Sequence, residues 1–417
     1  MGPIRLASMA WKNLWRQKRR TLITMSSIVL ACFLAVIMIG MNDHSWEVVI
    51  NTAARIGGGH ITVLNPEYQE KPALNRTVTH TRDKIAKIKQ LPHVTQVLER
   101  IVGQTMLSTT TESFGAGFIA YDPAVEGTET LSILEAITQG ELFKRASDKG
   151  IILGERLAKN LGAEMGTKIV YTLTDKNGDI VSGMARVSGL VRTNSPAVDL
   201  GLCFLPLDAV RTTLGYAPDE TIQVAVFIDS QRRADEMQTK IQSLLDDGSV
   251  ALTWKQTQPD LDSFIMLKKG GGTFFSVLML LLCAAGIFNT LFVSVMERLR
   301  EFGILVAVGF SPRKLFSLVM LESLWLGIVG LVASVLVVAW PYYFFSTKGI
   351  DLTEVYTQSG QKADIAGVGM SMVLKVGLYP ESAIAIVVAV LGAVLLSGLY
   401  PAYKAGRVEP VEVIKLV

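Results

Sequence analysis

The sequence predicts an α-helical membrane protein with four transmembrane helices plus a large α+β extracytoplasmic domain. Three observations predict it. No charged residue stands between Arg20 and Asp43, and the apolar run there is long enough to cross a bilayer. Residues 43–272 then form a long polar, foldable stretch before a second apolar run opens near Thr273, with two more runs behind it. Only 18% of the 417 residues are charged and 50% are hydrophobic, whereas a soluble domain carries about 25% charged residues.

The spans follow from length. A helix rising about 1.5 Å per residue needs about 20 apolar residues to cross the hydrocarbon core. Segments 21–41, 273–296, 315–345 and 382–403 meet that need. The third is longer than required, so it tilts or begins at the interface. The first run exceeds the roughly 7–15 apolar residues of a signal peptide and lacks an A-x-A site, so it reads as a retained anchor.

Orientation follows from the basic residues at the span ends. Arg5, Lys12, Arg16, Lys18, Arg19 and Arg20 precede the first span. Arg298, Arg300, Arg313 and Lys314 lie between the second and third, and Lys404 and Arg407 follow the fourth. With four spans all three groups fall on one side, expected to be the cytoplasm. Both termini are then cytoplasmic, and 43–272 and 346–381 lie outside. Trp340, Tyr342, Tyr343, Phe344 and Phe345 cluster at the outer end of the third span, as an interfacial aromatic belt does.

The outer part begins and ends with glycine clusters, at 57–59 and 270–272. They read either as hinges to the membrane or as ordinary loop glycine. GHITVLN (59–65) reads as a strand. TRDKIAKIKQL (81–91) is a helix with Ile85, Ile88 and Leu91 on one face, started by Thr81 and Asp83. Strands follow over 94–110 and 113–121. The pattern recurs as IQVAVFI (222–228), a helix bearing Ala234, Met237, Ile241, Leu244 and Leu245, and SVALTWK (249–255). Two β-α-β units from 43–121 and 219–272 thus form a split sandwich around an inserted β-rich subdomain, 122–218. Within that insertion Asn177 and Gly178 are a favoured hairpin pair. Asp175, Asn177 and Asp179 alternate as in a calcium loop, but the downstream Glu is missing, so the stretch reads as a hairpin tip.

Several chemistries are excluded. The net charge of +3 is too small to suggest nucleic acid. The phosphate-binding glycine loop, H-E-x-x-H and G-x-S-x-G are all missing from the sequence. The four histidines, His44, His60, His80 and His93, make no zinc pattern, so no metal is expected. Cys32, Cys203 and Cys283 leave no pair inside the outer part and read as small buried residues. With no catalytic constellation of its own, the chain must take any energy from a partner.

The most specific stretch is NTLFVSVMERLREFGILVAVGFSPRKLFSLVMLESLWLG, 289–327. Glu297, Arg298, Arg300 and Glu301 open a charged amphipathic segment at the membrane surface. Gly303 and Gly309 follow, then Ser311, Pro312, Arg313 and Lys314 before the third span. Such a segment suits docking to a soluble partner, or serves as an interfacial connector. Two polar residues lie inside spans. Asn289 is expected to bond across helices. Glu322, costly in lipid, either serves the docking region or makes a structural hydrogen bond.

ERLREFGILVAVGFSPRK resembles the signature of the FtsX-like permease family of ABC transporters. AWKNLWRQKRRTLIT (10–24) is similar to that family's basic N-terminal helix, and YPAYKAGRVEPVEVIKLV (400–417) to its cytoplasmic tail. ILGERLAKNLGAEMGTKI (152–169) resembles a recurring segment of its outer domain. The resemblance covers the whole chain. It implies a permease dimer, of two copies or of two related chains, above a cytoplasmic ABC ATPase dimer that holds ATP and Mg. It also implies that 297–314 is a coupling helix seated in the ATPase, relaying ATP-driven motion outward by mechanotransmission.

GGGHITVLNPEYQ (57–69) is similar to the start of the outer domain in the lipoprotein-releasing branch. That branch implies lipoprotein or lipid taken from the outer leaflet. Acyl chains need an apolar vestibule, and Ile37, Met38 and Met41 with Phe274, Phe275 and Leu278 are its candidates. The alternatives are an exporter of the macrolide type, working with a periplasmic adaptor, and a regulator of a periplasmic cell-wall hydrolase.

Overall fold

The computed structural model describes residues 3–16, 18–193, 195–246, 248–351, 364–365, 368–369 and 373–407. The helices in chain order are α1 (Pro3–Arg16), α2 (Lys18–Ile56), α3 (Thr81–Ile88), α4 (Glu155–Asn160), α5 (Pro196–Gly201) and α6 (Leu207–Leu214). They continue as α7 (Ala234–Gln242), α8 (Trp254–Thr257), α9 (Pro259–Glu297), α10 (Leu299–Ala307), α11 (Pro312–Thr347) and α12 (Pro380–Gly406). The main strands are β1 (Ile61–Leu64), β2 (Val94–Ser108), β3 (Ser113–Tyr121), β4 (Ile137–Gly140) and β5 (Gly150–Gly154). β6 (Lys168–Thr174), β7 (Ile180–Val191), β8 (Leu202–Pro206), β9 (Gln223–Ile228) and β10 (Val250–Thr253) complete them. The chain divides into a mainly helical unit, Met1–Ser45 with Met266–Leu352 and Val373–Val417, and a sheet unit, Trp46–Ile265 with Thr353–Met372.

In the helical unit, four helices are long and apolar enough to cross a membrane among the described residues: Thr21–Ile56, Pro259–Glu297, Pro312–Thr347 and Pro380–Gly406. Small residues set their closest approaches. A Cβ on Gly398 of α12 would stand 2.6 Å from Ser323 Oγ of α11, and one on Gly330 of α11 would stand 2.8 Å from Ile28 of α2. Ser397 Oγ donates to the Ala284 carbonyl at 2.9 Å, joining α12 to α9. Asn289, expected to bond across helices, is exposed on α9 and makes no side-chain hydrogen bond among the described residues. Ile287 and Leu291 of the same stretch pack against α2, α11 and α12, and Asn289 lies on the other face of α9.

The span helices overrun their apolar runs. α2 does not stop near Met41, because WEVVINTAARI keeps a helical stripe, and Val49, Ile50 and Ala53 enter the core of the sheet unit. α9 likewise begins with Leu261 and Ile265 in that core. The glycines at 270–272, expected as a hinge or a loop, lie inside α9. Helix on both sides carries the chain through them, despite a cost of about 1 kcal/mol per glycine relative to alanine.

The sheet unit is the split α+β structure. Its first half-sheet runs β10-β1-β9-β2, all neighbours antiparallel. Ile88 of α3 with Met237 and Ile241 of α7 cover one face against Val63, Val97 and Val226. α3 ends at Ile88 rather than Leu91, where tighter turns close through Gln90 and Leu91. β2 is long enough to serve a second half-sheet. There Ile101 onward pairs with β3, and Met106 onward with β6. β3 pairs in parallel with β8, and β5, β7 and β4 continue the order. Residues 101–121, placed by sequence with the first half, therefore share a sheet and a core with 122–218. Ile101, Leu107 and Phe118 pack with Ile151, Leu157, Tyr171 and Leu205.

The glycine–histidine motif has a local explanation. Gly59 adopts φ +83°, and a Cβ there would lie 2.6 Å from the Val226 carbonyl oxygen. Only glycine fits. His60, 6% exposed, then meets Asn51 Oδ1 through Nε2 at 2.9 Å and accepts the Ile228 N–H on Nδ1 at 3.3 Å. Beside it, the fully buried Arg100 donates to the Gly57 carbonyl, to the Thr130 carbonyl at 2.9 Å and to Glu126 through Nε at 2.8 Å. Burial pushes the Glu126 carboxyl up and Arg100 pulls it back.

Candidate functional site

The segment between α9 and α11 is built by two chain breaks. Arg298 leaves helical geometry at φ −101°, ψ 6°, ending α9 and starting α10. At the other end Gly309 takes φ +98°. The Phe310 N–H bonds back to the Leu305 carbonyl at 2.9 Å and the Gly309 N–H to Val306 at 2.9 Å. This is a Schellman stop, with Phe310 and Leu305 in one apolar cluster as that motif prefers. The space around Gly309 is open, so the backbone angle alone demands glycine. Ser311 in extended geometry and Pro312 at the first turn then open α11.

Burial divides α10 into two faces. Phe302 is fully buried, and with Leu299, Leu305 and Val306 it packs on Val295, Leu315, Val319 and Ala402. Gly303 is buried on the same side. Outward stand Arg300, Ile304 and Val308, with Glu297, Gly309, Ser311 and Arg313 exposed around them, while Lys314 is half-buried. Ile304 is 53% and Val308 78% exposed, so two apolar knobs project between charged neighbours. Sequence reasoning placed charges on this face and missed the knobs.

Behind α10 lies a ring of polar side chains. Glu322 of α11 accepts Arg298 Nη1 at 2.8 Å and Nη2 at 3.3 Å. Its Oε1 also accepts Asn13 Nδ2 of α1 at 2.7 Å. Arg298 Nε donates to Glu301 at 3.3 Å, and Arg16 of α1 also bonds Glu301. The Arg298 guanidinium stands over the Phe302 ring, 5.2 Å from its centre. The Arg298 and Glu322 side chains are only 13% and 15% exposed. α1 is seated by Leu6 and Ala10 against Leu318, and Trp11 meets Trp325 edge-on at 5.1 Å. Asn13 and Arg16 were not singled out from sequence, because their partners lie far along the chain.

A second feature of the helical unit is an apolar cavity of about 290 Å³ between α2, α9 and α12. Ala35, Met38 and Ile39 line one wall, Ser276 and Leu280 another, and Ile386 the third. Of the vestibule candidates only Met38 lines it. Ile37 and Met41 do not, and Phe274, Phe275 and Leu278 are 67%, 55% and 43% exposed on the adjoining face of α9. Helical phase explains the difference: Thr273, Ser276, Val277 and Leu280 form one stripe, and the predicted residues form the next.

The sheet unit holds an open cleft of about 790 Å³, with Tyr68, Leu74, Phe118, Gln104, Gln223 and Gln258 among its lining. Asp175 also reaches it, but its carboxylate already accepts the Asn177 and Asp179 N–H groups at 2.8 and 2.9 Å, as a hairpin tip requires.

The family model for the MacB-like periplasmic core domain matches residues 21–244, and that for the FtsX-like permease C-terminal region matches 273–410. The ABC transporter permease YtrF of Bacillus subtilis is 26% identical over 44% of this chain and 40% of its own length. The lipoprotein-releasing system transmembrane protein LolC of Xylella fastidiosa is 23% identical over 70% of this chain and 78% of its own. The pyoverdine export ATP-binding/permease protein PvdT of Pseudomonas entomophila is 24% identical over 97% of this chain and 58% of its own. The chain thus spans less than two thirds of YtrF and of PvdT.

Proposed function

The chain belongs to the family of ABC permeases with a MacB-like periplasmic core domain and an FtsX-like permease region, and from that premise we propose that it relays ATP hydrolysis in a separate cytoplasmic ATPase to its outer domain. One observation carries the reading. The exposed Ile304 and Val308 give a partner an apolar foothold, while Arg298 ties the same segment rigidly to Glu322 of a span helix. A push on α10 is therefore a push on α11. The basic residues around α1 and α10 support a cytoplasmic position for this end. Seen this way, Arg300 and Arg313 frame the docking face, and ATP and Mg reside in the ATPase. A second permease, either another copy or a related chain, completes the assembly.

We propose lipoprotein or lipid of the outer leaflet as cargo. The cavity between α2, α9 and α12 is apolar, and its Met38 and Leu280 walls suit an acyl chain. The similarity to LolC, a lipoprotein-releasing system transmembrane protein, supports this reading. The match to the export protein PvdT over 97% of this chain and 58% of its own length favours a second one, export, for which an adaptor would be the expected companion. The test is mass spectrometry of the full chain purified in mild detergent, wild type against Ala35→Phe, which fills the cavity. The cargo reading expects acyl lipid or lipoprotein with the wild type and at least about fivefold less with the variant. An adaptor and no acyl cargo favours the second reading.

A further inference from the structure

We infer that Glu322 is a positioning residue of coupling that makes the N-terminal helix α1 part of the body moving with α10; this rests on the coupling role just proposed. The observation is a closed ring drawn from three elements. Asn13 and Arg16 stand three residues apart, on one face of α1. Asn13 bonds Glu322 of α11 at 2.7 Å, and Arg16 bonds Glu301 of α10. Arg298, at the break between α9 and α10, joins the same two carboxylates, at 2.8 Å to Glu322 and 3.3 Å to Glu301. Each acid therefore holds both α1 and Arg298.

A brace between α10 and α11 needs only Arg298 and Glu322. Seating α1 needs only its apolar face, where Leu6 and Ala10 already meet Leu318. The ring does something that neither contact does. Apolar contact lets a helix slide or roll, whereas a charged network with a mostly buried pair at its centre, here Arg298 and Glu322, fixes register, the outer Arg16–Glu301 pair being solvent-exposed. Glu322 lies roughly 15 Å into α11 at 1.5 Å per residue, where a carboxylate is costly and must be paired. Removing its charge leaves the mostly buried Arg298 with Glu301 alone. α10 then keeps only its apolar packing on α11, and one of the two polar anchors of α1 is weakened. A displacement of α10 reaches α1 through Arg16 and, by way of Glu322, through Asn13.

Hydrogen exchange of the full chain in lipid nanodiscs, alone and in complex with its ATPase with and without ATP and vanadate, tests this. Without nucleotide, Glu322→Gln is expected to speed amide exchange in both α1 and α10 by at least about tenfold. Asn13→Ala is expected to speed it in α1 alone. In the wild-type complex, nucleotide changes exchange in α1 together with α10. In Glu322→Gln the ATPase remains bound and the α1 response is weakened relative to that of α10, since only the Arg16 route is left intact, which a merely structural carboxylate would not produce. An α1 exchange rate or an α1 response to nucleotide unchanged in Glu322→Gln overturns the inference. Should Glu322→Gln not fold, Asn13→Ala decides: the inference requires it to weaken the α1 response and leave that of α10. A wild-type chain that binds no ATPase overturns the coupling role and this inference with it, whereas failure of the inference alone leaves ATPase binding intact.

Discussion

At the residue scale, single side chains decide how the sheet unit holds its strands and helices in place. His60 is the clearest case. Its Nδ1 accepts the Ile228 N–H, so the ring must stay neutral to keep that bond. Burial lowers its pKa from 6.5 to about 4. The unfolded chain therefore takes up the proton first. The stabilisation is full above pH 6.5, falls as the pH drops toward 4, and is level below that. Its size over this window is about 3 kcal/mol. Thermal unfolding of the full chain in detergent, compared with His60→Gln, should show an extra loss of stability between pH 6.5 and 4 in the wild type only. Equal slopes for the two proteins would show that His60 is not the group responsible. The sequence marked GGGHITV only as a resemblance to a family segment; the neutrality of His60 was not legible, because the Ile228 N–H that demands it comes from a distant strand.

At the element scale, α10 was legible because its punctuation is local. Arg298 through Glu301 supply the charges, and AVGFSP supplies a stop glycine, an extended serine and a first-turn proline. Gly309→Ala should cost about 1 kcal/mol through its positive φ. Amides of α10 should then exchange roughly fivefold faster, with α12 unaffected. An unchanged rate would mean that packing of Phe302, rather than the stop, holds α10 in place. The apolar cavity between α2, α9 and α12 shows where local reading ends. Composition marks the outer end of α9 as apolar on every side, so only its neighbours α2 and α12 select the stripe through Ser276 and Leu280. Asn289 and the glycines at 270–272 were misread for a related reason. A polar residue does not have to find a partner, and glycine does not have to break a helix that is supported on both sides.

At the scale of the whole molecule, the span count and the α+β outer part were legible from charge-free runs and alternating patterns, signals that add up over many residues. The boundary at 121 was not, since β2 is one continuous strand serving two half-sheets and nothing in its sequence marks the exchange. The central claim also belongs to this scale: energy enters through α10 from a separate ATPase. Its most direct test is the recovery of the ATPase on the tagged full chain from membranes, wild type against a variant carrying Ile304→Glu and Val308→Glu. These two side chains point outward and leave the ring at Glu322 intact. The account predicts an ATPase recovered with the wild type and at least about tenfold less with the variant, at unchanged melting temperature. Full recovery on the variant, or none on the wild type under conditions that preserve other permease complexes, would contradict it.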